Sequence, residues 1–154
     1  MSVSTAKDIM TKEVITVRKD ASIEELSELL VKNKISGVPV TDEKGNLLGI
    51  VTEADIIVKD TDLHFPRYFK LLDAIIYLES LNKFRENLKK HLATKVEDIM
   101  TIRVRTIEPD TPTSEIAEIM LDKKINRLPV IDSRGGIAGI VTRADIVKSM
   151  IGKK

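Results

Sequence analysis

The chain of 154 residues contains no cysteine, no tryptophan and only two histidines. Without cysteine there is no disulfide, no thiolate nucleophile and no Cys-based metal site, a composition that fits a reducing cytoplasm. An excess of one charge is also missing, since 25 Lys and Arg offset 24 Asp and Glu for a formal net charge of +1. The long-range field that gathers nucleic acid or an anionic membrane is therefore absent. No run of about 18 apolar residues is present to span a bilayer, and the opening MSVSTAKDIM lacks the apolar stretch of a signal peptide. There is no Gly-rich phosphate loop and no convergent acid and base pair, so no enzyme is expected, and His64 and His91 read as ordinary surface residues. With 42% apolar and 32% charged residues, the expectation is one globular unit in the cytoplasm.

What the chain does have is a repeat. DIMT at Asp8–Thr11 returns at Asp98–Thr101, 90 residues later, and the offset then holds without a gap. Pro39 and Val40 match Pro129 and Val130, Asp42 matches Asp132, and Gly45 matches Gly135. Gly49-Ile50-Val51-Thr52 matches Gly139-Ile140-Val141-Thr142, and Ala54-Asp55-Ile56 matches Ala144-Asp145-Ile146. Chance likeness between amphipathic segments preserves hydrophobic phase, but not Pro, Gly, Thr and Asp at identical spacing.

Each copy reads as strand, helix, strand, strand, helix. Val14–Val17 is a short β-branched run. A helix is expected from Ser22, which with Glu25 forms a capping box and leads into Leu26, Leu29 and Leu30. In the second copy the start is expected one residue out of register, after Thr111 with Pro112 as first helical residue. Strands at Val38–Thr41 and Leu47–Val51 flank a turn with Gly45 at a positive φ, and a last helix opens at Thr52 or Thr142. One copy of about 50 residues cannot bury its own strands and helices, whereas two packed sheet to sheet can. Such a pair is expected to be pseudo-two-fold symmetric, with two equivalent crevices between the copies.

Between the copies, residues 59 to 94 carry a helical stripe, Tyr68, Leu71, Leu72, Ile75, Leu78, Leu81, Phe84, Leu88 and Leu92. All the aromatic residues, Phe65, Tyr68, Phe69, Tyr77 and Phe84, lie there. The insert is expected to cover an apolar face of its own module or of a second subunit. The organisation read from the sequence is thus a first repeat over 1–58, a helical insert over 59–95 and a second repeat over 96–154.

The string with chemistry in it is Gly49-Ile-Val-Thr52-Glu-Ala-Asp55, repeated as Gly139-Ile-Val-Thr142-Arg-Ala-Asp145. A strand ends and a helix begins there, and free amides of a helix N-terminus attract anions such as phosphate. The Asp on the same first turn has acceptor oxygens for a ribose 2',3'-diol. Thr and Asp so spaced are also a plain helix cap, which stabilises by about 1 kcal/mol. Their recurrence in one register favours a ligand.

The DIMT opening, the Ile35-Ser-Gly-Val-Pro-Val and Ile125-Asn-Arg-Leu-Pro-Val segments and the Gly-Ile-Val-Thr-x-Ala-Asp endings together resemble a tandem pair of CBS domains, a Bateman module, over residues 7–58 and 96–150. The resemblance implies an α/β fold (α+β) of two βαββα repeats, binding of AMP, ADP, ATP or S-adenosylmethionine in inter-repeat clefts, and pairing into a homodimer. It further implies that Asp145 and Thr142 work with Thr16, Ile35, Ser36, Gly37 and Val38. Asp55 and Thr52 would work with Thr106, Ile125, Asn126, Arg127 and Leu128. Arg127 occupies a position that contacts phosphate in some members, where the first repeat has Gly37, and Arg143 replaces Glu53. Guanidinium at both places favours multiply charged nucleotides.

The main expectation is a regulatory module that binds an adenine nucleotide and acts on an unidentified partner protein. A scaffold with purely structural caps, docking through its aromatic-rich insert, is the alternative. S-adenosylmethionine binding is a further one. Nucleic-acid binding, which the family resemblance also allows, is another, although neither the charge nor any helix-turn-helix pattern supports it.

Overall fold

The computed structural model describes residues 3–61 and 95–152. The aromatic cluster, both histidines and the helical stripe expected of the insert fall outside the described residues. In chain order the elements are α1 (Ala6–Ile9), β1 (Val17–Arg18), α2 (Ile23–Asn33), β2 (Gly37–Thr41), β3 (Leu47–Thr52) and α3 (Glu53–Thr61). After a 3-10 turn (Val96–Asp98) come α4 (Thr113–Lys123), β4 (Arg127–Ile131), β5 (Ile137–Thr142) and α5 (Arg143–Ile151). The strands form a three-stranded sheet ordered β1-β2-β3 and a two-stranded sheet β4-β5.

The mixed α/β class and the helix, strand, strand, helix succession of each copy agree with the sequence. The first strand does not. Of the Val14–Val17 run only Val17, which is buried, enters a strand. In the second copy, β1 is reduced to a single parallel bridge between Ile107 and Val130. β-branched residues supply propensity, but a ladder lasts only as far as a partner strand accompanies it.

Two compact units share the residues: 1–16, 41–48 and 103–154 in one, 17–40 and 49–102 in the other. The first unit therefore joins the body of the second copy to the opening segment of the first copy. Its core holds Ala6, Ile107, Ile116, Met120, Leu128, Val130, Val141 and Ile146, with Ile9 and Met10 packed against it. Burying a side chain of this size stabilises by about 1.5–3 kcal/mol. Strands β4 and β5 are antiparallel, pairing Arg127 with Thr142, Leu128 with Val141, Pro129 with Ile140 and Val130 with Gly139. Pro129 has no N–H to give the ladder. Its carbonyl turns outward to accept from the Ile107 N–H at 3.0 Å, and Ile140 opposite it turns outward too, exchanging both its backbone bonds with Thr11 at 2.9 and 3.0 Å.

The opening segment is held along its length. Ala6 N–H donates to the Thr111 carbonyl at 2.8 Å, Lys7 N–H to that of Pro109 at 2.9 Å, and Thr113 N–H to that of Ser4 at 2.9 Å. Lys7 Nζ reaches Asp110 Oδ1 at 2.6 Å on the surface, and the pairing raises the lysine pKa above its ordinary 10.5.

The second unit repeats the arrangement with the roles exchanged. Val17, Leu26, Leu30, Val38, Val40, Val51 and Val96 are buried. Val96 stands where Ala6 stands in the first unit: its N–H donates to the Ala21 carbonyl at 2.9 Å, and Glu97 N–H to that of Lys19 at 3.0 Å. Thr101 and Ile50 exchange backbone bonds of 2.9 and 2.8 Å.

Local rules account for the helix ends. Ser22 Oγ accepts from Glu25 N–H at 3.0 Å and Glu25 Oε2 from Ser22 N–H at 3.2 Å, the expected capping box. The second copy corrects the sequence reading: Pro112 is the N-cap, in extended conformation, and Thr113 is the first helical residue. The register is thus unshifted, Pro112 standing where Ser22 stands. Thr111 is not the cap because its hydroxyl accepts from Glu108 N–H at 3.1 Å, closing the preceding turn. Both helices stop at a lysine in the left-handed region, Lys34 and Lys124, each with φ 53°. Gly45 and Gly135 take the positive φ expected of the hairpin turns, 82° and 81°.

Candidate functional site

Val141 is fully buried and Thr142 half-buried, so the chain leaves β5 directly onto the first turn of α5. Asp145 Oδ2 accepts from Thr142 N–H at 2.8 Å and from Thr142 Oγ1 at 2.9 Å. In return, Thr142 Oγ1 accepts from Asp145 N–H at 3.4 Å. The other copy does the same: Asp55 Oδ2 accepts from Thr52 N–H at 2.8 Å and from Thr52 Oγ1 at 3.2 Å. Both aspartates are half-buried. The cap saturates Oδ2; among the described residues no group donates to Oδ1 of either aspartate. One oxygen with two lone pairs is left to each carboxylate, enough for both hydroxyls of a vicinal diol.

The segment before the proline-containing strand lies against the same helix end. Arg143 N–H donates to the Asn126 carbonyl at 3.0 Å, and Glu53 N–H to the Ser36 carbonyl at 2.8 Å. Arg143 Nε also reaches the Ile125 carbonyl at 3.4 Å, and the β4–β5 register sets Arg127 opposite Thr142. In the second copy, therefore, Ile125, Asn126, Arg127, Thr142, Arg143 and Asp145 gather at one end of the sheet. In the first copy, Ser36 joins Thr52 and Glu53 beside Asp55. The two ends differ in charge, with two guanidinium groups at one and a carboxylate, Glu53, at the other.

Ile35, Ser36 and Gly37 are half-buried, and Thr16 and Thr106 are exposed. The side chains of Val38 and Leu128 belong to the core, at 1% and 0% exposure, so only their backbone is left to meet a ligand. Sequence reasoning missed one feature of these ends, the opening segments that seat beside them. A Cβ built on Gly139 would lie 2.5 Å from Met10 Sδ and 3.0 Å from the Thr11 carbonyl oxygen. On Gly49 it would lie 2.6 Å from the Thr101 carbonyl oxygen and 2.9 Å from Met100 Sδ. A glycine inside a strand signals such close approach of another backbone, so the signal was present in both copies. No cluster of three or more His, Asp or Glu capable of holding a metal ion occurs among the described residues. Nor is any helix among them long and apolar enough to cross a membrane.

Comparison with known proteins agrees with this description. The CBS domain family model matches residues 6–61 and 96–152. An uncharacterized protein of Methanocaldococcus jannaschii is 38% identical over 152 residues, covering 94% of this chain and 90% of its own length. The chloroplastic CBS domain-containing protein CBSX1 of Arabidopsis thaliana is 33% identical over 97% of this chain, which spans 65% of that relative. Among solved structures, CBSX2 in complex with AMP superimposes with a TM-score of 0.76 at 27% identity, covering 96% of both chains. The CBS domain pair of protein MJ0100, in complex with 5'-methylthioadenosine and S-adenosyl-L-methionine, gives 0.71 at 31% identity, covering 99% of this chain and 100% of that one. With the duplicated Thr–Asp helix ends, the two family matches and these relatives in agreement, the chain belongs to the CBS domain family as a protein with two CBS repeats.

Proposed function

We propose that the chain is a ligand-sensing regulatory module, without catalytic activity of its own, in which each Thr–Asp helix end receives the ribose of an adenine nucleotide. The observation that carries this reading is the recurrence of the Thr–Asp pair in one register, where β3 passes into α3 and where β5 passes into α5, beside the segment that precedes each proline-containing strand. Complexes of relatives with AMP and with 5'-methylthioadenosine and S-adenosyl-L-methionine place adenosine compounds on the same fold.

In this reading Asp145 and Thr142 hold one nucleotide, and Asp55 and Thr52 hold another. Arg127 and Arg143 face the phosphates, which favours AMP, ADP or ATP over a cationic sulfonium ligand. Ligand then shifts the balance between two arrangements of the module, and a partner protein reads the difference. Pairing with a second copy is part of the proposal, supported by Val147, Met150 and Ile151, exposed at steps of three and four on α5.

The test is calorimetric titration with AMP, ATP and S-adenosylmethionine of protein first freed of bound nucleotide. Saturable heat with AMP or ATP, weakened by Arg143→Ala, supports the reading. Absence of heat with all three ligands rejects it in favour of a scaffold with structural caps.

A further inference from the structure

DIMT occurs in both copies, yet none of its residues is among the proposed nucleotide contacts. Its structural use is the same each time. Asp8 Oδ2 caps α1 by accepting from Thr5 N–H at 2.8 Å and Thr5 Oγ1 at 3.0 Å. Met10 then lies over Gly139, and Thr11 bridges Ile140, two residues before Thr142. In the second unit, Met100 lies over Gly49 and Thr101 bridges Ile50, two residues before Thr52. Each opening segment thus holds the edge of the strand that ends in the other copy's ribose-binding turn. That outer edge has no other backbone partner at Ile140 or Ile50, since both backbone bonds of each residue go to the segment.

We propose that Met10 and Met100 are positioning residues for nucleotide binding: seating of the thioether on the strand glycine fixes the strand end that presents Asp145 or Asp55, so that segment docking and ligand binding are coupled. The inference rests on the proposed nucleotide site and adds to it a second element, exchanged between the copies, on which affinity depends. Each segment has two states, seated and released. Only the seated state holds the Thr–Asp turn in place, so the apparent dissociation constant rises as the seated fraction falls. Seating for about one tenth of the time weakens binding about tenfold. By reciprocity, bound nucleotide favours the seated state.

The close approaches at the two glycines supply the test. On Gly139 the nearest obstacles to an added Cβ are Met10 Sδ at 2.5 Å and Met10 Cγ at 2.7 Å, both side-chain atoms. On Gly49 the nearest is the Thr101 carbonyl oxygen at 2.6 Å, which no side-chain change removes. AMP affinity is measured in Asp55→Ala, where only the Asp145 end remains, with backbone amide exchange at Thr11 and Ile140 followed by NMR. Gly139→Ala is expected to weaken AMP about tenfold at a temperature where circular dichroism shows the fold intact. Met10→Ala alone, which removes the thioether without crowding the glycine, is expected to weaken AMP to a similar extent, and combining it with Gly139→Ala adds little further loss because both act on the one seating contact. In Asp145→Ala, Gly49→Ala and Met100→Ala are each expected to weaken AMP in the same way. AMP also slows exchange at Thr11 in the parent. If Gly139→Ala releases the segment, seen as fast exchange, while AMP affinity is unchanged, the coupling is overturned and the nucleotide site stands. If the two parents bind no AMP, the nucleotide site itself is overturned and the coupling with it.

Discussion

Thr142 and Asp145 bond to each other through three contacts, yet all those made by the carboxylate fall on a single oxygen, Oδ2. In the proposed site, stability and ligand binding consequently make separable demands on the same side chain. Asp145→Asn can still accept from Thr142 N–H, and its cost to stability is expected to stay well below the roughly 1 kcal/mol of a lost cap. Its effect on nucleotide affinity is larger. Hydrogen bonds to a charged acceptor exceed those to a neutral one by about 1 kcal/mol, close to a tenfold change in affinity. Asp145→Ala incurs both losses. Thermal denaturation and AMP titration of the two variants separate the terms.

Lys34 and Lys124 end α2 and α4 in the left-handed conformation, where a Cβ costs about 1–2 kcal/mol. Part of that gain is returned through the greater freedom of glycine in the unfolded chain, about 0.5–1 kcal/mol. Lys34→Gly and Lys124→Gly are each expected to stabilise by about 0.5–1 kcal/mol. Urea denaturation with an unchanged m-value checks this, and a loss of stability in either variant contradicts it.

Two aspartates make the module acid-sensitive in a predictable direction. Hydrogen bonds from Thr5, chiefly its backbone N–H, hold Asp8 below the ordinary 3.8, and bonds from Asn46, chiefly its side-chain amide, hold Asp42 below it. A carboxylate with a lowered folded-state pKa contributes stability that is fully present above its unfolded value and lost as pH falls through the folded value. Stability is therefore expected to decline as pH drops below about 4. The decline should be shallower in Asp8→Asn and in Asp42→Asn, each less stable than the parent at pH 7. Equal slopes in parent and variants contradict the assignment.

Lys7 carries the opposite sign. Its pKa is raised, first by the hydrogen bond to Asp110 and then by that carboxylate's charge. Its contribution is present below the ordinary 10.5 and lost as pH rises through the folded value. In the other unit Glu97 stands for Lys7 and Asp20 for Asp110, two carboxylates that cannot form such a pair. Lys7→Glu is expected to loosen the first opening segment, with faster exchange at the Ala6 N–H, and Glu97→Lys to tighten the second. Both effects should shrink in high salt because the groups are exposed.

The features legible in the sequence are those set by residues three or four apart. Ser22 with Glu25, Thr142 with Asp145, and the glycines at 45 and 135 act through a single turn, and their residue types state the geometry. Pro112 was misplaced by one position because proline suits both the N-cap and the first helical turn, and the choice between them falls to Thr111, whose hydroxyl serves Glu108. The left-handed lysines gave no sign, since lysine does not mark that conformation as glycine does. The exchange of opening segments was the largest omission. Contacts such as Lys7 with Asp110 join residues more than a hundred positions apart, and DIMT says only that the segment matters twice. Strand glycines 49 and 139 held the clue, but a close approach does not name what approaches.

Each of the two Thr–Asp turns is proposed to take one nucleotide. Equilibrium dialysis with AMP, on protein freed of bound nucleotide, tests it most directly. Two equivalents per chain are expected in the parent, one in either Asp55→Ala or Asp145→Ala, and none in the double variant. Stoichiometry that stays the same after both aspartates are removed would mean that nucleotide binds elsewhere on the chain.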